Sequence, residues 1–298
     1  MRIPPVVLLI AVASGLAGRA GLIAQNGPPR HATMPAVSPD GRRIAFLVDD
    51  DGKADVQVAD ATGEHVTRLT TTLDDEGRPV WSPTGDDVLV SRFKEGWSTL
   101  FALPVAGGGA ERVVVRAPGR NPALLGTRVL FATGDWSSMQ LSTSALDGTD
   151  VKAFSDGQGA IWNHAVSPDG RRVAFTRSRD KTLQVWVVNA DGSGAREVGP
   201  FEGRPQMPAW SPDGAKLAVQ VGAPAGGPPR SRLWIVDVAS GQRTPVIADE
   251  TPHLDEVPAW FPDGRRLAFQ SDRSGVFEIW TVDLGAAAGQ GAPRQITR

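Results

Sequence analysis

One tetrapeptide constrains this chain more than any other feature. Ser38-Pro39-Asp40-Gly41 returns as Ser82-Pro83-Thr84-Gly85, Ser167-Pro168-Asp169-Gly170, Ser211-Pro212-Asp213-Gly214 and, with one change, Phe261-Pro262-Asp263-Gly264. Pro39 to Pro83 and Pro168 to Pro212 both span 44 residues, and the 85 residues from Pro83 to Pro168 leave room for one further copy. Pro122-Ala123-Leu124-Leu125-Gly126-Thr127 fills that gap with a shortened turn, which makes six units. A period of this length marks a unit that cannot bury its apolar face alone and must stack on its neighbours.

Every unit repeats the same physical parts. A short apolar strand comes first, as in Pro35-Ala36-Val37, Pro79-Val80-Trp81 and Pro208-Ala209-Trp210. In the turn that follows, proline's fixed φ suits the second position and glycine the fourth. The second strand is Arg43-Ile44-Ala45-Phe46 in the first unit and Arg266-Leu267-Ala268-Phe269 in the last. A third strand is clearest in Val185-Trp186-Val187-Val188, Leu233-Trp234-Ile235-Val236 and Ile279-Trp280-Thr281-Val282, and a more polar fourth strand follows. Four strands per unit, with no helix-period stretch beyond the first residues, predict an all-β, six-bladed β-propeller. Parallel β-helices have shorter coils, and the leucine ladder of leucine-rich repeats is missing.

The sequence Pro208-Ala209-Trp210-Ser211-Pro212-Asp213-Gly214 resembles the WD-like propeller repeat of the TolB family, as do Arg265 to Phe269, Ser271-Asp272-Arg273-Ser274-Gly275 and Glu278 to Asp283. The resemblance runs from about residue 34 to residue 298. It implies a TolB-like propeller, a protein or cell-envelope ligand, and a location in the periplasm or outside the cell. TolB has an α/β domain before its propeller, whereas a short linker is expected here, so the resemblance is to the propeller part only. Related blades occur in propeller domains of prolyl-oligopeptidase-type peptidases and of some oligosaccharide lyases. One scaffold hosts many activities, so the fold does not name the function.

Composition narrows the partners. A formal net charge of −2 without a basic run gives no electrostatic footprint for nucleic acid. With no cysteine, disulfides, thiolate nucleophiles and cysteine-held zinc are excluded. Met1-Arg2 and the apolar run from Val6 to Gly18 read as a targeting segment, so residues 1–24 are expected to be a signal peptide and 25–33 a linker. An uncleaved membrane anchor is the alternative. After cleavage no stable membrane span is expected, and the chain is expected to be a monomer.

No Gly-x-Ser-x-Gly elbow occurs, and six blades consume the chain, so a serine hydrolase is not expected. The segments that join one blade's outer strand to the next blade's inner strand converge on the channel mouth, where binding side chains would gather. They carry Glu76, Arg78, Arg120, Asn121, Trp162, Asn163, His164, Arg204, Gln206, His253, Asp255 and Glu256, together with His31, Thr33, Asp74 and Asp75. A polar rim of mixed sign suits recognition, although loop tips are polar in any soluble protein. A non-catalytic binding module without cofactor is therefore the first expectation. The alternative is a metal-dependent oligosaccharide lyase or other glycan-processing enzyme at the same mouth, with His164, His253 and Asp255 as ligands. Asp49-Asp50-Asp51-Gly52 with Asp55 hints at a calcium loop but lacks the spacing of an EF-hand, and a solvated turn is expected. Trp81, Trp210 and Trp260 are expected between blades as core, as are Trp186, Trp234 and Trp280. Trp97, Trp136 and Trp162 break the repeat and are the better candidates for exposed contacts.

Overall fold

Each Ser-Pro-Asp-Gly segment folds as a turn that its own side chains lock. Ser38 Oγ donates to Asp40 Oδ1 at 2.6 Å and accepts the Arg43 backbone N–H at 2.9 Å, while the Gly41 N–H bonds the Ser38 carbonyl at 2.8 Å. The Ser38 hydroxyl also holds the Asp40 carboxyl below the usual carboxylate range. Ser167 and Ser211 repeat the arrangement with Asp169 and Asp213. In the last unit, buried Phe261 replaces the serine, and Asp263 takes the Arg265 and Arg266 N–H groups instead.

A computed structural model describes residues 31–49, 54–71, 76–106, 109–248, 251–285 and 291–298. The expected targeting segment, most of the linker, Asp74, Asp75 and the Asp50-Asp51-Gly52 turn lie outside these residues. Among the described residues all regular structure is strand: 24 strands form six four-stranded antiparallel sheets, each from four consecutive strands. The chain is a six-bladed β-propeller. Blade three is the unit with the shortened turn, where Arg128 pairs with Leu125 across Gly126-Thr127.

The core lies between the blades. One apolar cluster fills each of the six interfaces, including the one between blade six and blade one. The second strand supplies the largest plugs at one repeated position, with Phe46, Phe131, Phe175 and Phe269 at most 2% exposed. Burial of each such side chain contributes roughly 1.5–3 kcal/mol. Among the described residues the ring closes through side chains and short backbone contacts, with each sheet built from four consecutive strands. At that seam the Ala32 N–H bonds the Phe277 carbonyl at 2.9 Å, and the Met34 N–H bonds Gln270 Oε1 at 3.0 Å.

The inner strands differ from the sequence expectation. They run His31–Val37, Arg120–Leu125, Ile161–Val166, Arg204–Trp210 and Asp255–Trp260, and only blade two keeps a short one, Val80–Trp81. The five longer strands each contain a register shift against the second strand. At the shift sits a residue of positive φ: Met34 (54°), Asn121 (52°), Asn163 (52°), Met207 (49°) and Val257 (49°). An extra residue at one point of a strand is a β-bulge, which bends the strand and re-aims the side chains around it. The bulge also breaks the two-residue alternation, which is why these stretches read as loops in the sequence.

Candidate binding site at the channel mouth

The inner strands begin at one end of the central channel, and the Ser-Pro-Asp-Gly turns ring the other. The first end is the mouth. Arg120, Asn121, Trp162, Asn163, His164, Arg204, Gln206, Asp255 and Glu256 lie within the first four residues of the inner strands rather than in loops. Glu76 forms an isolated bridge with Arg92, Arg78 just precedes Val80–Trp81, and His253 just precedes Asp255–Trp260.

Two of these residues hold the scaffold. Glu76 and Asp255 occupy the same repeat position and are both buried. Glu76 accepts from Arg92 Nη2 at 2.9 Å and from Thr70 Oγ1 at 2.7 Å. Asp255 accepts from Arg273 Nη2 at 2.8 and 2.7 Å and from Ser271 Oγ at 2.7 Å. Carboxylates closed in this way clamp a blade together and have little capacity left for a ligand.

Glu256 belongs to a hydrogen-bond chain that joins blades five, six and one. Its Oε1 accepts from Gln220 Nε2 at 3.0 Å and its Oε2 from Gln270 Nε2 at 3.1 Å. The other ends of those amides take the bulge N–H groups of Val257 and Met34. Burial raises the Glu256 carboxyl above its ordinary pKa, and the nearby Asp272 and Asp255 add to the effect.

His164 lies on the inner strand of blade four beside Asn121 of blade three, and Arg78 reaches across the ring. Burial among protein atoms lowers the His164 pKa to about 4, which a hydrogen bond with the Asn121 backbone opposes only in part. The imidazole is neutral at physiological pH, yet it is half-buried and keeps some accessible surface. Arg78 Nη2 donates to the Pro258 carbonyl at 3.3 Å, reaching from blade two to blade six in front of blade one. That path lies within the lumen.

The three candidate histidines have separate surroundings. His31 sits at the seam against Phe277, with ring centroids 6.4 Å apart, and His253 Nδ1 lies 3.8 Å from Asp272. Among the described residues no three His, Cys, Asp or Glu side chains gather to hold a metal ion. Asp55 is buried and engaged by Arg68 and by Thr70.

The exposed part of the mouth is aromatic. The Arg120 guanidinium lies 3.7 Å from the Phe93 ring centroid and 5.7 Å from that of Trp136. Trp162 Nε1 donates to the Trp136 carbonyl at 3.2 Å, which ties blade four to the same group. Trp136 is 67% exposed and Phe93 37%. Of the exposed large apolar side chains among the described residues, all but Val66 belong to blades two and three. Phe93 was not expected from the sequence, and its signal was a large apolar residue at a hairpin end where the other blades are polar. Trp97 is exposed as expected, but it packs on the Gly148 turn of the next blade, where a Cβ would stand 3.0 Å from the indole.

The family model described as TolB beta propeller domain matches residues 119–297, well over half of the chain. The chain belongs to the TolB β-propeller family. A second model, Lipoprotein LpqB beta-propeller domain, matches residues 20–202, so TolB-like and LpqB-like patterns overlap along the ring. A TolB homologue of Chlorobium luteolum is 26% identical over 164 residues, 53% of this chain and 36% of its own length. An uncharacterized protein of Agrobacterium fabrum is 24% identical over 198 residues, 61% of this chain and 67% of its own. The chain thus spans about a third of the TolB homologue that it matches. The crystal structure of TolB from Acinetobacter baumannii superposes with a TM-score of 0.64 at 19% identity, covering 90% of this chain and 67% of that one. Oligogalacturonate lyase in complex with manganese gives 0.53 at 17% identity, covering 90% of this chain and 78% of that one. At these identities the likeness is one of fold.

Proposed function

We propose that this chain is an exported, non-catalytic binding module that recognises a protein or other cell-envelope ligand at its channel mouth. The Phe93–Arg120–Trp136 stack carries this reading. Aromatic and arginine side chains dominate the energetics of protein interfaces, and a stacked guanidinium keeps its N–H edge for a partner. Family membership and the targeting segment expected from the sequence support a periplasmic or secreted location, and the module acts as a monomer. The lyase alternative draws on a shared fold, and the engagement of Asp255 by Arg273 weighs against it.

Capture from an envelope fraction tests the reading. The wild-type chain should retain one defined partner, and Arg120→Ala with Trp136→Ala should lose it while unfolding at an unchanged temperature. Equal retention by both proteins refutes the assignment of this surface, and recovery of the tagged chain only from the cytoplasm refutes export.

A further inference from the structure

Most arginines that this fold buries carry their own counter-ion. Arg92 (9% exposed side chain) meets Glu76 and Glu111, Arg177 (4%) meets Asp156, and Arg273 (11%) meets Asp255, all within 3 Å. Arg78 departs from this pattern. It is half-buried, and burial pulls its pKa down with no carboxylate among the described residues to oppose it. Its hydrogen bond goes to a neutral carbonyl, at 3.3 Å, longer than the usual N–H to oxygen distance. A guanidinium presents five donors in a planar fork that matches a carboxylate, and an uncompensated buried charge is unfavourable until an anion meets it.

From this we infer that Arg78 is the receptor for a carboxylate in the channel. The group enters through the mouth and docks on the guanidinium fork. Arg120, on the next blade's inner strand, likewise has no carboxylate partner among the described residues and is held by rings instead. The approach to Arg78 is therefore cationic and aromatic, suited to an acidic side chain or chain terminus flanked by apolar residues. The inference rests on the reading of the mouth as a recognition surface, but its test needs no partner.

The test uses the full chain and two probes. Sodium acetate is titrated against sodium chloride at equal ionic strength, with the unfolding temperature as readout, because a ligand of the native state raises it. Wild type should show a saturable rise specific to acetate, Arg78→Lys a weaker one, and Arg78→Met none. Arg78→Met should also unfold at a higher temperature without acetate, since it removes an uncompensated charge, so its loss of response cannot be ascribed to misfolding. A capped peptide carrying one glutamate, compared with its glutamine twin, distinguishes a partner's carboxylate from a free anion. Binding of the glutamate peptide at least tenfold tighter than acetate points to the partner, and acetate binding alone points to a free carboxylate. Equal responses to acetate and chloride, or an unchanged acetate response in Arg78→Met, overturn the inference. Loss of partner capture in the Arg120 and Trp136 variants with acetate binding intact separates this site from the wider recognition surface.

Discussion

The indole N–H of Trp81 donates to the backbone carbonyl of Ala36, one blade earlier in the chain, at 2.9 Å. Trp210 makes the same bond to Ala165 at 3.0 Å and Trp260 to Ala209 at 3.1 Å. From the earlier blade, Arg43 stacks on the Trp81 ring and bonds the Gly85 carbonyl, and Arg172 does the same with Trp210 and Gly214. Each such tryptophan fills an interface cluster and also satisfies a carbonyl of the neighbouring inner strand, so it joins blades by packing and by direction.

These two contributions are separable. Trp81→Phe keeps most of the ring and loses the indole bond, which should cost about 0.5–1.5 kcal/mol, the net contribution of one hydrogen bond. Trp81→Ala should cost about 3–5 kcal/mol through the cavity. Urea unfolding measures both, and equal losses in the two variants would show that ring volume contributes little at this interface.

The blade count, the turns and these tryptophans were legible because each rests on a local, repeated pattern. Pro39 and Gly41 dictate a turn wherever they recur, and Trp81, Trp210 and Trp260 hold one repeat position. The mouth was legible only as a set of names. Residues such as Asn163 and His164 read as loop because a bulge at φ 52° destroys the alternation that marks a strand. Partnership was not legible at all: nothing near Asp255 in the sequence says that Arg273 will neutralise it, or that Arg78 will have no carboxylate partner among the described residues. Those facts depend on the ring, which brings residues 180 positions apart within reach.

The Glu76–Arg92 pair offers a contrast with the surface. Both side chains are nearly inaccessible, at 0% and 9% exposure. Glu76→Ala should cost about 3–5 kcal/mol by leaving Arg92 with only Glu111, and adding Arg92→Met should recover most of it. Arg128→Ala, which breaks the exposed pair with Asp150, should cost under about 1 kcal/mol. Differential scanning calorimetry of the three variants checks the order, and a silent Glu76→Ala contradicts the clamp.

The bulge predicts a dependence on side-chain shape at one position. Asn163 tolerates its positive φ because a short polar side chain fits the left-handed region. Asn163→Gly should change stability little, and Asn163→Val should cost about 1–3 kcal/mol of backbone strain. Val257 adopts the same φ with its side chain 2% exposed, so packing holds it there and Val257→Gly should be destabilising. Chemical denaturation of the Asn163 pair decides the matter, and a Val variant as stable as the Gly variant removes the strain argument.

His164 sets a pH dependence whose sign follows from its lowered pKa. The unfolded imidazole takes a proton near its ordinary pKa of 6.5, whereas the folded one resists until about 4. Between those values the unfolded state binds more protons, so stability falls as pH drops below about 6.5 and levels off once the folded ring is protonated too. By about pH 5 the loss from this residue alone should be about 1–2 kcal/mol, the lower figure allowing for the water that reaches the ring. Glu256 and Glu278, whose pKa values burial raises, act in the opposite direction over the acid range, so the whole-protein slope is a composite. The contribution of His164 therefore appears as a difference. His164→Gln should unfold at pH 7 much as the wild type does and lose about 1–2 kcal/mol less on acidification to about pH 5. Parallel pH curves for the two proteins would mean that the ring is solvated in the folded state, and that the channel is more open at His164 than its surroundings imply.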